Sequence, residues 1–265
     1  MKTLGLLLLL AAAVLGACAG GKGHPGTPGT TAAIHPAYPA ETVERAAFPG
    51  YEAVVRRAFP SYVRVLVYEL YDEEGMPEIG VLSGASGVIA DPRGYVVTAA
   101  HIARDTRHRV RVTSVDGRVH EGRIVHVDPS QDLAILKIAP FAGMRPAPIA
   151  EPLALRAGEP AFVIGTPDNK PGMVALGRVA VPRMSRCVAY GEFGFSDGIE
   201  LRADVQPGHS GGPVFDGAGR LIGILAGFGL GDTSRKTYVP TLIGYAVPSV
   251  TVAAYLARIA GPPPP

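Results

Sequence analysis

The run Gly208-His209-Ser210-Gly211-Gly212-Pro213 sets one hydroxyl among glycines, directly before the apolar pair Val214-Phe215. A serine that attacks a carbonyl needs an Oγ free of bulky neighbours. It also needs backbone N–H groups aimed at the oxygen that becomes negative. Glycines permit the dihedrals that turn successive N–H groups inward. The same composition occurs in linkers and tight turns, so the run takes its meaning from a base and an acid elsewhere. Of the seven histidines, His24 and His35 lie in a Gly/Pro-rich stretch and His108 is flanked by arginines. His120 and His126 sit among charges on strand-like runs. His209 adjoins the serine, where neighbouring side chains on a strained loop point apart. His101 remains. In Val97-Thr98-Ala99-Ala100-His101 a strand ends in small residues, so the imidazole can stand over a cleft. Asp132 opens the apolar run Leu133-Ala134-Ile135-Leu136-Lys137-Ile138. A carboxylate at the mouth of such a strand can hold a histidine Nδ1–H. Asp132 can equally be a turn aspartate, although Asp128 before Pro129 fits that role better.

The elements that must position these groups are short strands. From Tyr62 onward, runs such as Val63-Arg64-Val65-Leu66-Val67, Tyr95-Val96-Val97-Thr98 and Val110-Arg111-Val112-Thr113 are separated by turn signals. Asp91-Pro92-Arg93-Gly94 and Asp116-Gly117 supply hairpin-type turns. A Pro/Ala-rich connection from Pro140 to Pro152 divides the strand-rich region. The style then repeats with Ala161 to Gly165, Gly177 to Val181, Val214-Phe215 and Leu221 to Leu225. The pattern predicts an all-β fold of two packed antiparallel β-barrels, about residues 60–140 and 150–247, with a C-terminal helix over 248–260. A short helix is expected between Thr42 and Arg57, broken by Pro49, and the Pro-rich tail, 261–265, cannot extend the last helix.

With 265 residues, 47% of them hydrophobic, the chain can bury a substantial core. A net charge of +2, spread without long runs, argues against nucleic acid or an anionic membrane surface as partner. No His/Cys cluster has metal-ligand spacing, so no metal is expected. Lys2 precedes an apolar stretch from Leu4 to Leu15, 12 residues long, which is short for a spanning helix and suits a signal peptide. That stretch ends Leu15-Gly16-Ala17-Cys18, which resembles the lipobox of bacterial lipoproteins. The resemblance implies a signal peptide over 1–17, cleavage before Cys18 and lipid on its thiol. Residues 18–45 then read as a flexible tether. Lipidation of Cys18 would leave Cys187 as the one remaining cysteine, expected as a small buried side chain without a disulfide.

Taken together, Thr98-Ala99-Ala100-His101, Asp132-Leu133-Ala134 and Gly208-His209-Ser210-Gly211-Gly212-Pro213 resemble the three motifs of trypsin-like serine proteases. Ser86-Gly87-Val88-Ile89, Gly94 to Thr98, Ile164-Gly165-Thr166-Pro167 and Gly244 to Ser249 bring the likeness nearer to the bacterial HtrA/Deg type. It runs from about residue 60 to 258, within an expected protease domain over 46–260. The resemblance implies a serine endopeptidase in which His101 is the general base, Asp132 orients it and Ser210 is the nucleophile. It also implies that the N–H groups of Gly208 and Ser210 form the oxyanion hole. No metal or organic cofactor is called for, and the expected partners are polypeptide substrates. The export signal points to the bacterial cell envelope, with Ala19 after the cysteine favouring the outer membrane, facing the periplasm.

The chain departs from that family in three places. It stops after the closing helix, where HtrA-type proteases carry a PDZ domain, so none is expected. His209 precedes the nucleophile where this branch has Asn and trypsin has Asp. Asp204 lies where trypsin places the acid of its primary pocket, with Phe228 and Gly244 as expected neighbours in that specificity pocket. An acid there would favour Lys or Arg at the cleaved position, while the Phe228 ring could close the entrance. Family members trimerise through N-terminal aromatics, and Tyr38, Phe48 and Tyr51 could serve, so the oligomeric state stays open. The alternative function is a catalytically silent protease-fold chaperone or adaptor that binds unfolded polypeptide. An esterase is less consistent, because its histidine follows the serine in sequence.

Overall fold

The computed structural model describes residues 50–73, 76–150, 155–184, 188–229 and 243–261. The expected signal peptide and tether, Cys18, Tyr38, Phe48 and Cys187 lie outside the described residues. Alternating residue types build the strands. In β4 (Arg109–Ser114) Val110 and Val112 are fully buried, whereas Arg109 is exposed and Arg111 is half-buried. The first barrel closes from β1 (Tyr62–Glu73), β2 (Met76–Asp91), β3 (Tyr95–Thr98), β4, β5 (Val119–Asp128) and β6 (Leu133–Ile138). Its strand order is β1-β2-β3-β6-β5-β4, and β1 pairs antiparallel with β4 to complete the ring.

Downstream come β7 (Pro160–Gly165), β8 (Met173–Met184) and a separate two-stranded hairpin of β9 (Val188–Tyr190) and β10 (Phe193–Phe195). Then follow β11 (Gly198–Ala203), β12 (Pro213–Asp216), β13 (Leu221–Phe228) and β14 (Ile243–Pro248). The second barrel closes in the order β11-β14-β13-β12-β7-β8. Helix α1 (Tyr51–Ala58) precedes the first barrel, the short α2 (Ala100–Ala103) follows β3, and α3 (Ser249–Ala260) closes the chain. Of the helix expected between Thr42 and Arg57, the described part begins at Tyr51. The two-barrel architecture with a C-terminal helix matches the expectation from the strand pattern.

Several strands are apolar on both faces, and the packing explains why. In β6, Ala134, Leu136 and Ile138 fill the first barrel, while Leu133 and Ile135 face the second barrel. In β7, Ala161 and Val163 fill the second barrel, while Phe162 and Ile164 face the first. Each strand at the seam therefore buries two faces, which requires a continuous apolar run rather than strict alternation. Helix α3 docks on this seam through Val252 and Leu256. Arg93 binds its C-terminal end, with Nη1 donating to the Ala260 carbonyl at 2.6 Å.

Candidate active site

Antiparallel pairing sets Thr98, the last residue of β3, opposite Ala134 near the start of β6. The chain leaving β3 turns at once into α2, which carries His101, and the chain entering β6 passes through Asp132. Asp132 adopts a left-handed φ of 43° and is completely buried. Its carbonyl accepts from Ala100 N–H at 3.1 Å, and its Oδ1 accepts from His101 N–H at 2.9 Å. His101 Nδ1 lies 2.9 Å from Oδ2 and 3.2 Å from Oδ1. A carboxylate only accepts, so Nδ1 carries a proton toward it and Nε2 is the nitrogen turned away from Asp132. The His101 side chain is 12% exposed.

The hairpin β9–β10 adds residues that the sequence motifs did not single out. Tyr190 Oη donates to Asp132 Oδ2 and lies 3.3 Å from the Ala226 carbonyl. The rings of Tyr190 and Phe193 meet the His101 imidazole edge-on, with centroids at 5.6 and 6.2 Å. Burial first, and then the Asp132 carboxylate, push the Tyr190 phenol well above its ordinary pKa, so it stays protonated.

Ser210 stands just ahead of β12, across the seam, and is 7% exposed. Backbone bonding within its loop is selective. His209 N–H donates to Gln206 O at 3.1 Å, Gly211 N–H to Leu225 O at 2.7 Å, and Gly212 N–H to His209 O at 2.9 Å. The N–H groups of Gly208 and Ser210 donate to no acceptor among the described residues. These are the two amides expected to hold an oxyanion. Gly208 has φ +99°, and a Cβ there would sit 2.3 Å from the Thr166 carbonyl oxygen, so only glycine fits. Ser86 clamps the loop on both sides, with its N–H donating to Ser210 O at 3.1 Å and its Oγ to Gly208 O at 2.7 Å. Neither His101 Nε2 nor Ser210 Oγ has a hydrogen-bond partner among the described residues, so the expected bond between base and nucleophile is not formed in this structure.

His209 points away from this cleft. Its ring is buried, with 3% of the residue exposed, and lies on Gly165, where an added Cβ would be 2.6 Å from His209 Cδ2. The expected specificity residues are only partly assembled. Phe228 pairs with Gly244 across β13 and β14, and a Cβ on Gly244 would meet Val205 and Leu225 at 3.1 Å. Asp204, however, is exposed. A tight turn, closed by Val205 N–H donating to Ala203 O at 2.9 Å, sends Ala203 and Val205 inward and Asp204 outward. The acid expected at the base of a pocket is therefore not there. Among the described residues no group of three or more His, Cys, Asp or Glu could hold a metal ion.

The two closed barrels agree with what a comparison of families finds. A trypsin-like peptidase domain model matches residues 85–224, more than half of the 265-residue chain, and the chain belongs to that family. Among curated relatives, the chain is 34% identical to Protease Do-like 1, chloroplastic, of Arabidopsis thaliana over 179 residues. That match covers 66% of this chain and 38% of the relative. It is 31% identical to the serine endoprotease DegS of Escherichia coli K12 over 199 residues, covering 75% of this chain and 54% of DegS. The chain thus spans about half or less of the length of these relatives. The solved structure of the HtrA-type protease AlgW with a decapeptide superposes with a TM-score of 0.66 at 24% identity, covering 80% of this chain and 67% of AlgW. That likeness bears on the fold.

Proposed function

We propose that this chain is an HtrA-type serine endopeptidase acting on polypeptides of the bacterial cell envelope. The observation that carries the reading is the loop 208–212, whose only uncommitted amides among the described residues are those of Gly208 and Ser210. They lie on either side of a residue turned inward, next to a hydroxyl with no partner. In the proposed cycle His101 Nε2 takes the proton of Ser210 Oγ as the oxygen attacks the peptide carbonyl. The two free amides hold the tetrahedral oxyanion, and Asp132 stabilises the imidazolium. The C–N bond then breaks, the imidazolium proton goes to the leaving amine, and water hydrolyses the acyl-enzyme by the same route. With Asp204 outside and Val205, Leu225 and Phe228 around Gly244, we read the primary pocket as apolar rather than selective for basic side chains.

Placement in the envelope rests on Lys2, the apolar run to Leu15 and the lipobox-like Leu15-Gly16-Ala17-Cys18. Attachment through lipidated Cys18 is the route that the lipobox-like motif suggests. The decisive experiment is labelling by a fluorophosphonate probe together with cleavage of an unfolded protein substrate. Wild type is expected to label and cleave. Ser210→Ala should lose labelling and reduce kcat by roughly four to six orders of magnitude. A folded wild type that never labels would favour the silent chaperone or adaptor.

A further inference from the structure

We propose that Tyr190 is a positioning residue of the active site, its hydroxyl fixing the Asp132 carboxylate that orients His101. This inference rests on the serine endopeptidase reading for its catalytic consequence, though not for its effect on His101 itself.

Asp132 is wholly buried, and a buried carboxylate is tolerated only when hydrogen bonds replace the lost water. The described structure supplies three donors. His101 gives its backbone N–H and its Nδ1–H, and Tyr190 gives its phenolic O–H. Without Tyr190, both remaining donors belong to His101, the residue that Asp132 has to orient. The carboxylate would then have no reference outside its own partner, and the pair could rotate together. Tyr190 provides that reference from a third element. It sits on β9, in a hairpin that belongs to neither barrel, and it is held against the second barrel by packing with Ala226, Tyr245 and Val247 in the core cluster. The same hairpin presses the rings of Tyr190 and Phe193 against the imidazole edge, and β10 packs on the Pro129–Gln131 turn leading into Asp132. The hairpin therefore touches the base directly, the acid through a hydrogen bond, and the turn that carries the acid. The hairpin is anchored in the core shared by the barrels through the buried Val188, Tyr190 and Phe195, and its docking would complete the site.

The sign of the electrostatic effect follows from the donor. A phenol bonded to Asp132 draws off part of the carboxylate's charge, which weakens its hold on the imidazolium. Tyr190→Phe keeps the ring and removes only the donor, so the His101 pKa should rise. Replacing Tyr190 by 3-fluorotyrosine makes the phenol a stronger donor and should lower it. The test is an NMR titration of the His101 imidazole in wild type and both variants, with kcat and KM measured in parallel. The expected result is opposite shifts in the two variants. In Tyr190→Phe, kcat should fall at least about tenfold with KM within about twofold of wild type. A residue that merely packs would leave the titration in place. Unchanged titration in both variants overturns the proposal, and the fluorinated variant keeps the test open if the phenylalanine variant misfolds. Opposite titration shifts in a protein that cleaves nothing would instead uphold the positioning role and overturn the peptidase reading.

Discussion

His209 occupies the position between the two free amides, and its burial has a cost that depends on pH. Its Nδ1 lies 3.2 Å from the Gln206 nitrogen and 3.3 Å from the Gln206 carbonyl oxygen, and its buried Nε2 has no partner among the described residues. Burial holds the imidazole below its ordinary pKa, partly offset by the Gln206 backbone and the Asp204 charge. An unfolded chain would take up a proton here near about pH 6.5, before the folded chain does. The folded state is thus fully favoured above that value and loses stability as pH falls toward the depressed folded-state pKa. Urea midpoints measured from about pH 7.5 down to about pH 5.5 should drop more for wild type than for His209→Asn. Equal drops would show that His209 contributes nothing to acid sensitivity. The candidates Ser210, His101 and Asp132 were nominated by residue types at strand ends and in a glycine loop, and the structure pairs the latter two. The direction of Asp204 was not legible, because the turn that reverses it is set by a single backbone bond between Ala203 and Val205.

At the scale of elements, the turn between β5 and β6 is held from outside the first barrel. Asp128 accepts from Ser130 N–H at 2.8 Å and Ser130 Oγ at 2.7 Å, and Tyr255 Oη of α3 donates to its other oxygen. Burial raises the Asp128 pKa, but the bonds from Ser130 and Tyr255 outweigh it and hold the carboxyl below its ordinary value. Because this site is partly open to solvent, Tyr255→Phe should cost about 1 kcal/mol or less, read as a lower urea midpoint. An unchanged midpoint would mean that the Tyr255–Asp128 bond adds nothing to the docking of α3. The role of Asp128 as a turn residue was readable from the proline that follows it. The hairpin β9–β10 was not, since three-residue strands around Gly191-Glu192 are too short to carry a period.

At the scale of the molecule, the two barrels share a core. Phe215 stacks on Phe162 with centroids 5.3 Å apart, and both face the seam with Leu133, Ile135 and α3. Truncating a fully buried phenylalanine removes its transfer energy and leaves a cavity, so Phe215→Ala should destabilise by about 3 to 5 kcal/mol. Calorimetry should still record one transition, at lower temperature, because the barrels bury each other's inner faces. Two separated transitions in wild type would refute a shared core. The candidate residues His101, Asp132 and Ser210 lie along this same seam, so their relative geometry depends on the docking of the barrels.

Strand periodicity and turn residues are local signals, so the two-barrel class was readable in the sequence, and a glycine-rich loop with two strand-end motifs was enough to nominate His101, Asp132 and Ser210 as candidates, with Gly208 added by the family resemblance. Only the tertiary structure decided which amides of that loop stay free, that Ser86 clamps it, that Tyr190 reaches Asp132 and that Asp204 faces solvent. Each of the first three depends on partners distant in sequence: Leu225 for Gly211, Gly208 for Ser86, and Asp132 for Tyr190, the last pair separated by 58 positions. The Gly211 bond needs only the second barrel, but those of Ser86 and Tyr190 exist only once the barrels and the hairpin have packed, and no local pattern of residues encodes them.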